Sequence, residues 1–299
     1  MITQSLTFVA TVNSILYSGA TPVFLDVERD TLSLSPVSLG NYLSKNCEVR
    51  DDMKCWDIKE NKIVKACIPM HTLGFPAELN EIKKICDDFN IVMIEDAAES
   101  LGSYYDDKHT GSVGSLSALS FNGNKLITTG GGGALITDNA ELSQRAKHLS
   151  TTAKRPHPWD FDHDAVAWND RLPNINAALG LAQLEQLQER LDAKKQLAER
   201  YQDAVADLQG VELVAEPEGC CSNQWLVSLR FTASDPLDAQ RQRLNLLEAA
   251  HAVGLLLRPV WKLLHQLPMY ESAPRGELPI AEDQAHRLVN LPSSPQLVV

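Results

Sequence analysis

Three short segments combine residue types that can do chemistry together. Ile94-Glu95-Asp96-Ala97-Ala98-Glu99 sets acids directly after an apolar run. If that run is a buried strand, the acid lies at the carboxyl edge of a parallel sheet, where open α/β folds bind ligands. An isolated loop acid is more often simply solvated. Ser120-Phe121-Asn122-Gly123-Asn124-Lys125 places a lysine five residues after a strand-end serine. A primary amine there can bond covalently to a carbonyl, and the hydroxyl with nearby amides can hold a phosphate. Without such neighbours, a loop lysine is a surface lysine. Trp168-Asn169-Asp170-Arg171 offers an amide and a guanidinium that can grip a phosphate or a charged substrate. Asn and Asp equally favour plain turns. His71, just after the run ending at Met70, falls at the same sheet edge and suits either a substrate contact or a structural hydrogen bond.

The elements that must position these groups read as α/β. Pro22–Val27, Lys65–Met70, Ile91–Ile94 and Leu116–Phe121 read as strands, with Pro69 confined to a strand end. Ile91 to Ile94 is continuously apolar, as in a strand covered on both faces. Between them, Glu78 to Phe89 sets Leu79, Ile82, Ile85 and Cys86 on one helical face. This alternation predicts a mostly parallel sheet. Leu126–Thr129 and Ala134–Thr137 read as two strands around Gly130–Gly133, a close-packing turn that lacks the order of a phosphate-binding P-loop. One long helix is expected from Asn174 to Gly210, buried along Ala178, Leu181, Leu184, Leu187 and Leu191. A smaller α+β part follows, with strands at 225–231 and 255–260 and helices at 237–253 and 281–288. The expected division is a large domain with the start of the long helix, residues 1–186, and a small C-terminal domain, residues 187–299.

Composition narrows the function. The 299 residues carry 27 Lys and Arg against 39 Asp and Glu, a net charge of −12. That excess of acid argues against nucleic-acid or anionic-membrane partners, which need a basic face. No apolar run suits a membrane span and no basic leader opens the chain, so a cytoplasmic protein is expected. Six cysteines without a CxxC pair fit a reduced protein, with Cys67 and Cys86 as small buried hydrophobes. The stretch His157 to Asp164 matches no standard zinc or calcium spacing, so no metal site is expected.

Taken together, Glu95-Asp96-Ala97-Ala98, Ser120-Phe-x-x-x-Lys125, Gly131-Gly132-Gly133 and Asn169-x-Arg171 resemble the signatures of the DegT/DnrJ/StrS sugar aminotransferases. The likeness runs from Leu6–Thr11 to Asn290–Ser294, and the 29-residue interval from Asp96 to Lys125 matches the family. The resemblance implies a pyridoxal 5'-phosphate (PLP) enzyme with an aspartate-aminotransferase-like, fold type I large domain. It implies that Lys125 holds the cofactor aldehyde covalently and moves the proton. Asp96 would keep the pyridine nitrogen protonated, Ser120 would bond the phosphate, and Phe8 would stack on the ring. Glu99 stands where many relatives carry His or Gln, near the phenolic oxygen; an anion there is unfavourable unless protonated or turned away. Asn169 would reach the phosphate bound by a neighbouring subunit, which makes a homodimer with shared sites part of the expectation. Arg171 and His71 would meet substrate.

Phe121–Lys125 with Thr151-Thr152-Ala153-Lys154 looks most like the subgroup of legionaminic-acid-type pathways. That likeness implies amination of a 4-keto-6-deoxy nucleotide sugar to the 4-amino sugar, with glutamate as donor, for bacterial surface glycans. Relatives in the family begin upstream of the position aligned with Met1. The expectation is therefore an N-terminally truncated chain lacking one phosphate-binding turn, with weakened cofactor affinity. Two other readings follow: a truncated inactive or regulatory member, and a PLP sugar dehydratase. The second is disfavoured because those relatives replace the lysine with histidine, whereas Lys125 is intact.

Overall fold

The computed structural model describes residues 1–298; Val299, the last residue of the expected second domain, lies outside the described residues. Six strands form the main sheet: β1 (Ile2–Gln4), β2 (Val23–Leu25), β3 (Ala66–Ile68), β4 (Val92–Asp96), β5 (Leu116–Ser120) and β6 (Gly133–Ile136). Their order is β2-β1-β3-β4-β5-β6. All neighbours are parallel except the β5–β6 pair at the edge. Every residue of β1, β2 and β3 is buried. Strands β1 and β3 are interior strands covered on both faces. The edge strand β2 is covered by residues 274–276, where the Phe24 amide donates to Pro274 at 3.0 Å. The chain steps from β1 outward to β2 and returns on the other side of β1 with β3. That reversal makes the carboxyl edge of β1 and β3 the natural ligand crevice.

Helices α1 (Val9–Tyr17), α2 (Pro36–Asn46) and α3 (Leu79–Asp88) join these strands. The start of α2 is set locally: Ser35 accepts from the Ser38 amide at 3.1 Å, and Pro36 takes the first turn. Helix α3 buries Leu79, Ile82 and Cys86, the face its periodicity predicts. Helix α4 (Ala140–Ser150), capped by Asn139, follows β6.

The second half builds an antiparallel sheet from β7 (Val211–Leu213), β8 (Ser228–Phe231), β9 (Arg258–Pro259) and β10 (Leu288–Asn290), in the order β7-β8-β10-β9. Helices α7 (Pro236–Ala252) and α8 (Pro279–Arg287) accompany it. One apolar cluster joins the two halves: Leu6, Leu73 and Phe75 pack with Trp225, Val260 and Leu263. Among the described residues, no helix is long and apolar enough to cross a membrane.

Three sequence expectations need correction. Leu126–Thr129 is a bent turn, not a strand; β6 pairs instead with β5, Ser120 opposite Gly133. The long helix is two helices, α5 (Asn174–Leu184) and α6 (Leu187–Val205), broken at Glu185–Gln186. The expected stripe is not buried along its length: Leu181 is 61% and Leu184 48% exposed. The reason is that α5 meets residues 128–129 through other positions: Asn176 donates to the Thr129 carbonyl at 2.5 Å, Gln183 accepts from the Thr128 amide at 3.0 Å, and at Gly180 an added Cβ would lie 2.7 Å from Thr129 Cγ2. Periodicity identifies an apolar face but not what covers it.

Candidate active site

The site gathers at the carboxyl edge of β1, β4 and β5. Asp96 is the last residue of β4, and its amide donates to Pro69 at 2.9 Å, so the backbone fixes the position of its carboxylate. Thr11, on the first turns of α1, donates its hydroxyl to Asp96 Oδ2 at 2.6 Å. The Ala98 amide donates to Oδ1 at 3.1 Å. Phe8, the extended residue just before α1, lies beyond the end of β1 and keeps 46% of its surface exposed. An aromatic left half open at a ligand crevice is free to stack; a core phenylalanine would be closed in.

Lys125 Nζ lies 3.5 Å from Glu99 Oε1, with the lysine side chain 11% and the glutamate side chain 2% exposed. On its other side Nζ stands 4.0 Å from the centre of the Trp225 ring. Glu99 also accepts from the Leu73 amide at 2.9 Å. Burial pushes its carboxyl up to about 8, and Lys125 and the Leu73 amide only partly offset that; Asp96 adds to the rise. Glu99 therefore carries a proton through most of the neutral range, which removes the objection to an acid at this position. Ser120 ends β5, and its hydroxyl accepts from the Asn122 amide at 3.3 Å, which turns the chain toward Lys125. Beside it Gly133 has no room for a side chain, since a Cβ there would lie 2.3 Å from the Leu119 carbonyl oxygen, whereas Gly131 faces open space.

Other expected residues fall elsewhere. His71 is fully buried, with Nε2 3.0 Å from Glu95 Oε2 and Nδ1 accepting from the Ala77 amide at 3.1 Å. Both ring nitrogens are engaged, so the substrate contact expected of His71 has no exposed atom to make it. Glu95 also accepts from the amides of Gly111, Val113 and Gly114, and these bonds with His71 hold its carboxyl below the ordinary range despite burial. The pair is a structural clamp on the loop after β4. Asn169 and Arg171 are exposed and bond each other, Arg171 Nη2 donating to Asn169 Oδ1 at 3.2 Å. No hydrogen bond or ion pair among the described residues joins them to the Lys125 cluster.

Thr11, Asn223 and Trp225 belong to the site but were not read from the sequence. Asn223 donates to the carbonyls of Glu99 and Leu101, at 2.8 and 2.9 Å, and so docks a second-half segment beside the loop that follows β4. Gly74, at φ +97°, makes this fit possible, because a Cβ there would lie 2.1 Å from Asn223 Oδ1. Thr11 alone had a local signal, three residues after Phe8 on one helical face.

The donor set fits PLP: a nearly buried amine, a carboxylate oriented by two donors, a half-open aromatic ring and a strand-end hydroxyl at one crevice. The chain is similar to GDP-perosamine synthase of Escherichia coli O157:H7, 34% identical over 299 residues that cover 99% of this chain and 74% of the relative. It is 37% identical over 271 residues to EpsN of Bacillus subtilis (strain 168), provisionally named a pyridoxal phosphate-dependent aminotransferase. That match covers 90% of this chain and 65% of EpsN, so the chain spans about two thirds to three quarters of these relatives. Among solved structures it resembles a DegT DnrJ EryC1 StrS aminotransferase from Brucella abortus, with TM-score 0.83, 30% identity, and 99% and 74% of the two chains covered. It also resembles Helicobacter pylori PseC, an aminotransferase involved in pseudoaminic acid biosynthesis, with TM-score 0.87, 26% identity and the same coverage. The model of one family, the DegT/DnrJ/EryC1/StrS aminotransferase family, matches residues 1–298, and the chain belongs to that family.

Proposed function

We propose that the protein is a PLP-dependent aminotransferase that turns a 4-keto-6-deoxy nucleotide sugar into its 4-amino sugar, with glutamate as donor, for bacterial surface-glycan synthesis. The observation that carries this reading is the Lys125–Glu99–Asp96 cluster at the sheet's carboxyl edge. The 4-amino product follows the GDP-perosamine synthases among the relatives.

When bound, PLP supplies an electron sink for charge at the carbon that gains or loses the amine. The chain's residues do the rest. Asp96, its oxygens held by Thr11 and Ala98, would keep a proton on the pyridine nitrogen. Lys125 would hold the cofactor covalently, and its amine is the base placed to move the proton. Glu99, protonated, presents a hydrogen-bond donor rather than a second anion. Phe8 would cover the ring and Ser120 would bind the phosphate.

Asn169 and Arg171 act across a homodimer, in the other subunit's site. An apolar surface around them supports this: Trp168, Leu172, Ile175 and Leu179 are all exposed in the single chain. Arg171 occupies the oxygen of the Asn169 side chain and leaves the amide NH2 for a phosphate.

The test is chemical trapping. Incubation with PLP followed by borohydride should leave the cofactor fixed on Lys125, and peptide mapping that finds another lysine overturns the assignment. Glutamate and a GDP- or UDP-4-keto-6-deoxyhexose should then give an amino sugar detectable by mass spectrometry. Amination at a carbon other than C4 would refute the substrate reading.

A further inference from the structure

Lys194, on α6, is 4% exposed, yet no carboxylate pairs with it among the described residues. Its ammonium instead donates to two backbone carbonyls, Trp225 at 2.8 Å and Ser293 at 2.5 Å. Burial pulls Lys194 down to about 8. A cation held only by neutral carbonyls is a costly way to fill a core position. What a methionine could not do there is bind two chain segments at once.

One of those segments ends at the catalytic lysine. Trp225 is 7% exposed. Its indole N–H donates to the Asn124 carbonyl at 3.1 Å, and the face of its ring meets Lys125 Nζ at 4.0 Å. Its own amide donates to Asn223 Oδ1 at 2.9 Å, and Asn223 hangs from the carbonyl of Glu99. Trp225 and Asn223 therefore meet the lysine and its neighbour at three points: the Asn124 carbonyl, the Lys125 ammonium and the Glu99 backbone.

We infer that Trp225, braced from behind by Lys194, is a positioning residue that confines the Lys125 amine between its ring and Glu99. The ring attracts the ammonium through its quadrupole and shields it from water on that side. Glu99, with Oε1 3.5 Å from the same nitrogen, restricts the approach further. This inference rests on the proposed role of Lys125, but it concerns the lysine before any cofactor arrives.

The experiment therefore uses cofactor-free protein. Competitive acetylation with acetic anhydride, read by mass spectrometry, gives the rate at Lys125 relative to exposed Lys59. Trp225→Leu removes both shielding and attraction, each of which slows acylation. Lys125 labelling should rise about fivefold, the size expected for loss of one cation–π contact. Trp225→Phe keeps a ring and should stay within about twofold of wild type. Lys194→Met loosens the brace and should raise the rate about threefold, with circular dichroism unchanged. Unchanged labelling in folded Trp225→Leu overturns the inference, as does a Trp225→Phe rate equal to that of Trp225→Leu. If Trp225→Leu does not fold, Lys194→Met decides the matter by the same comparison. Borohydride trapping on a different lysine would sink the cofactor assignment while leaving these labelling rates interpretable, so the two failures are distinguishable.

Discussion

Glu99→Gln tests whether the buried carboxyl beside Lys125 holds a proton. Burial lifts Glu99 from 4.5 to about 8, so the folded chain keeps a proton that the unfolded chain releases. A raised folded-state value means that stability is full below about 4.5, falls as pH rises through 8, and then levels. Each pH unit inside that window costs about 1.4 kcal/mol, so the whole window costs about 3–5 kcal/mol. Glutamine has no proton to lose, and its oxygen can still accept from the Leu73 amide. The substitution forfeits the 3.5 Å contact with the Lys125 ammonium, a loss of about 1 kcal/mol. The variant should therefore be slightly less stable than wild type at pH 5 and about 2–3 kcal/mol more stable at pH 8.5. Urea unfolding of cofactor-free protein at several pH values measures this. The difference between the two proteins isolates Glu99, because groups common to both cancel. A difference that stays constant from pH 5 to 8.5 would show that Glu99 is ionised throughout and would refute the argument.

Two further outcomes test the remaining roles. Asp96→Ala should still bind PLP but lose transamination, because a ring nitrogen without its carboxylate is a poor electron sink; near-normal turnover would assign ring protonation to another group. PLP should shift a monomer–dimer equilibrium toward dimer and raise the melting temperature, by linkage of binding to assembly. Asn169→Ala should weaken both effects, and equal shifts in sedimentation and melting for the two proteins would remove Asn169 from the partner's site.

The sequence alone determined the parts of this protein that are local. An acid directly after a buried apolar run had to fall at a strand end, and Asp96 does. A serine closing one strand and a lysine five residues on had to share a turn, and Ser120 and Lys125 do. Helix α3 faced inward as its period required, because an amphipathic stripe has one low-energy orientation against a sheet. The tertiary structure decided what depends on distant partners. The sequence left His71 between a substrate contact and a structural hydrogen bond, and Glu99 between a protonated and a turned-away acid; only the packed loops show that the first is locked to Glu95 and Ala77 and the second is desolvated beside Lys125. The apolar stripe of α5 is real in sequence but stays exposed along much of its length in the single chain. Thr11, Asn223, Trp225 and Lys194 carry no motif. Each gains its role from a contact across at least 31 residues, up to 124, and no pattern of spacing encodes which distant carbonyl or carboxylate a side chain will meet once the chain has packed.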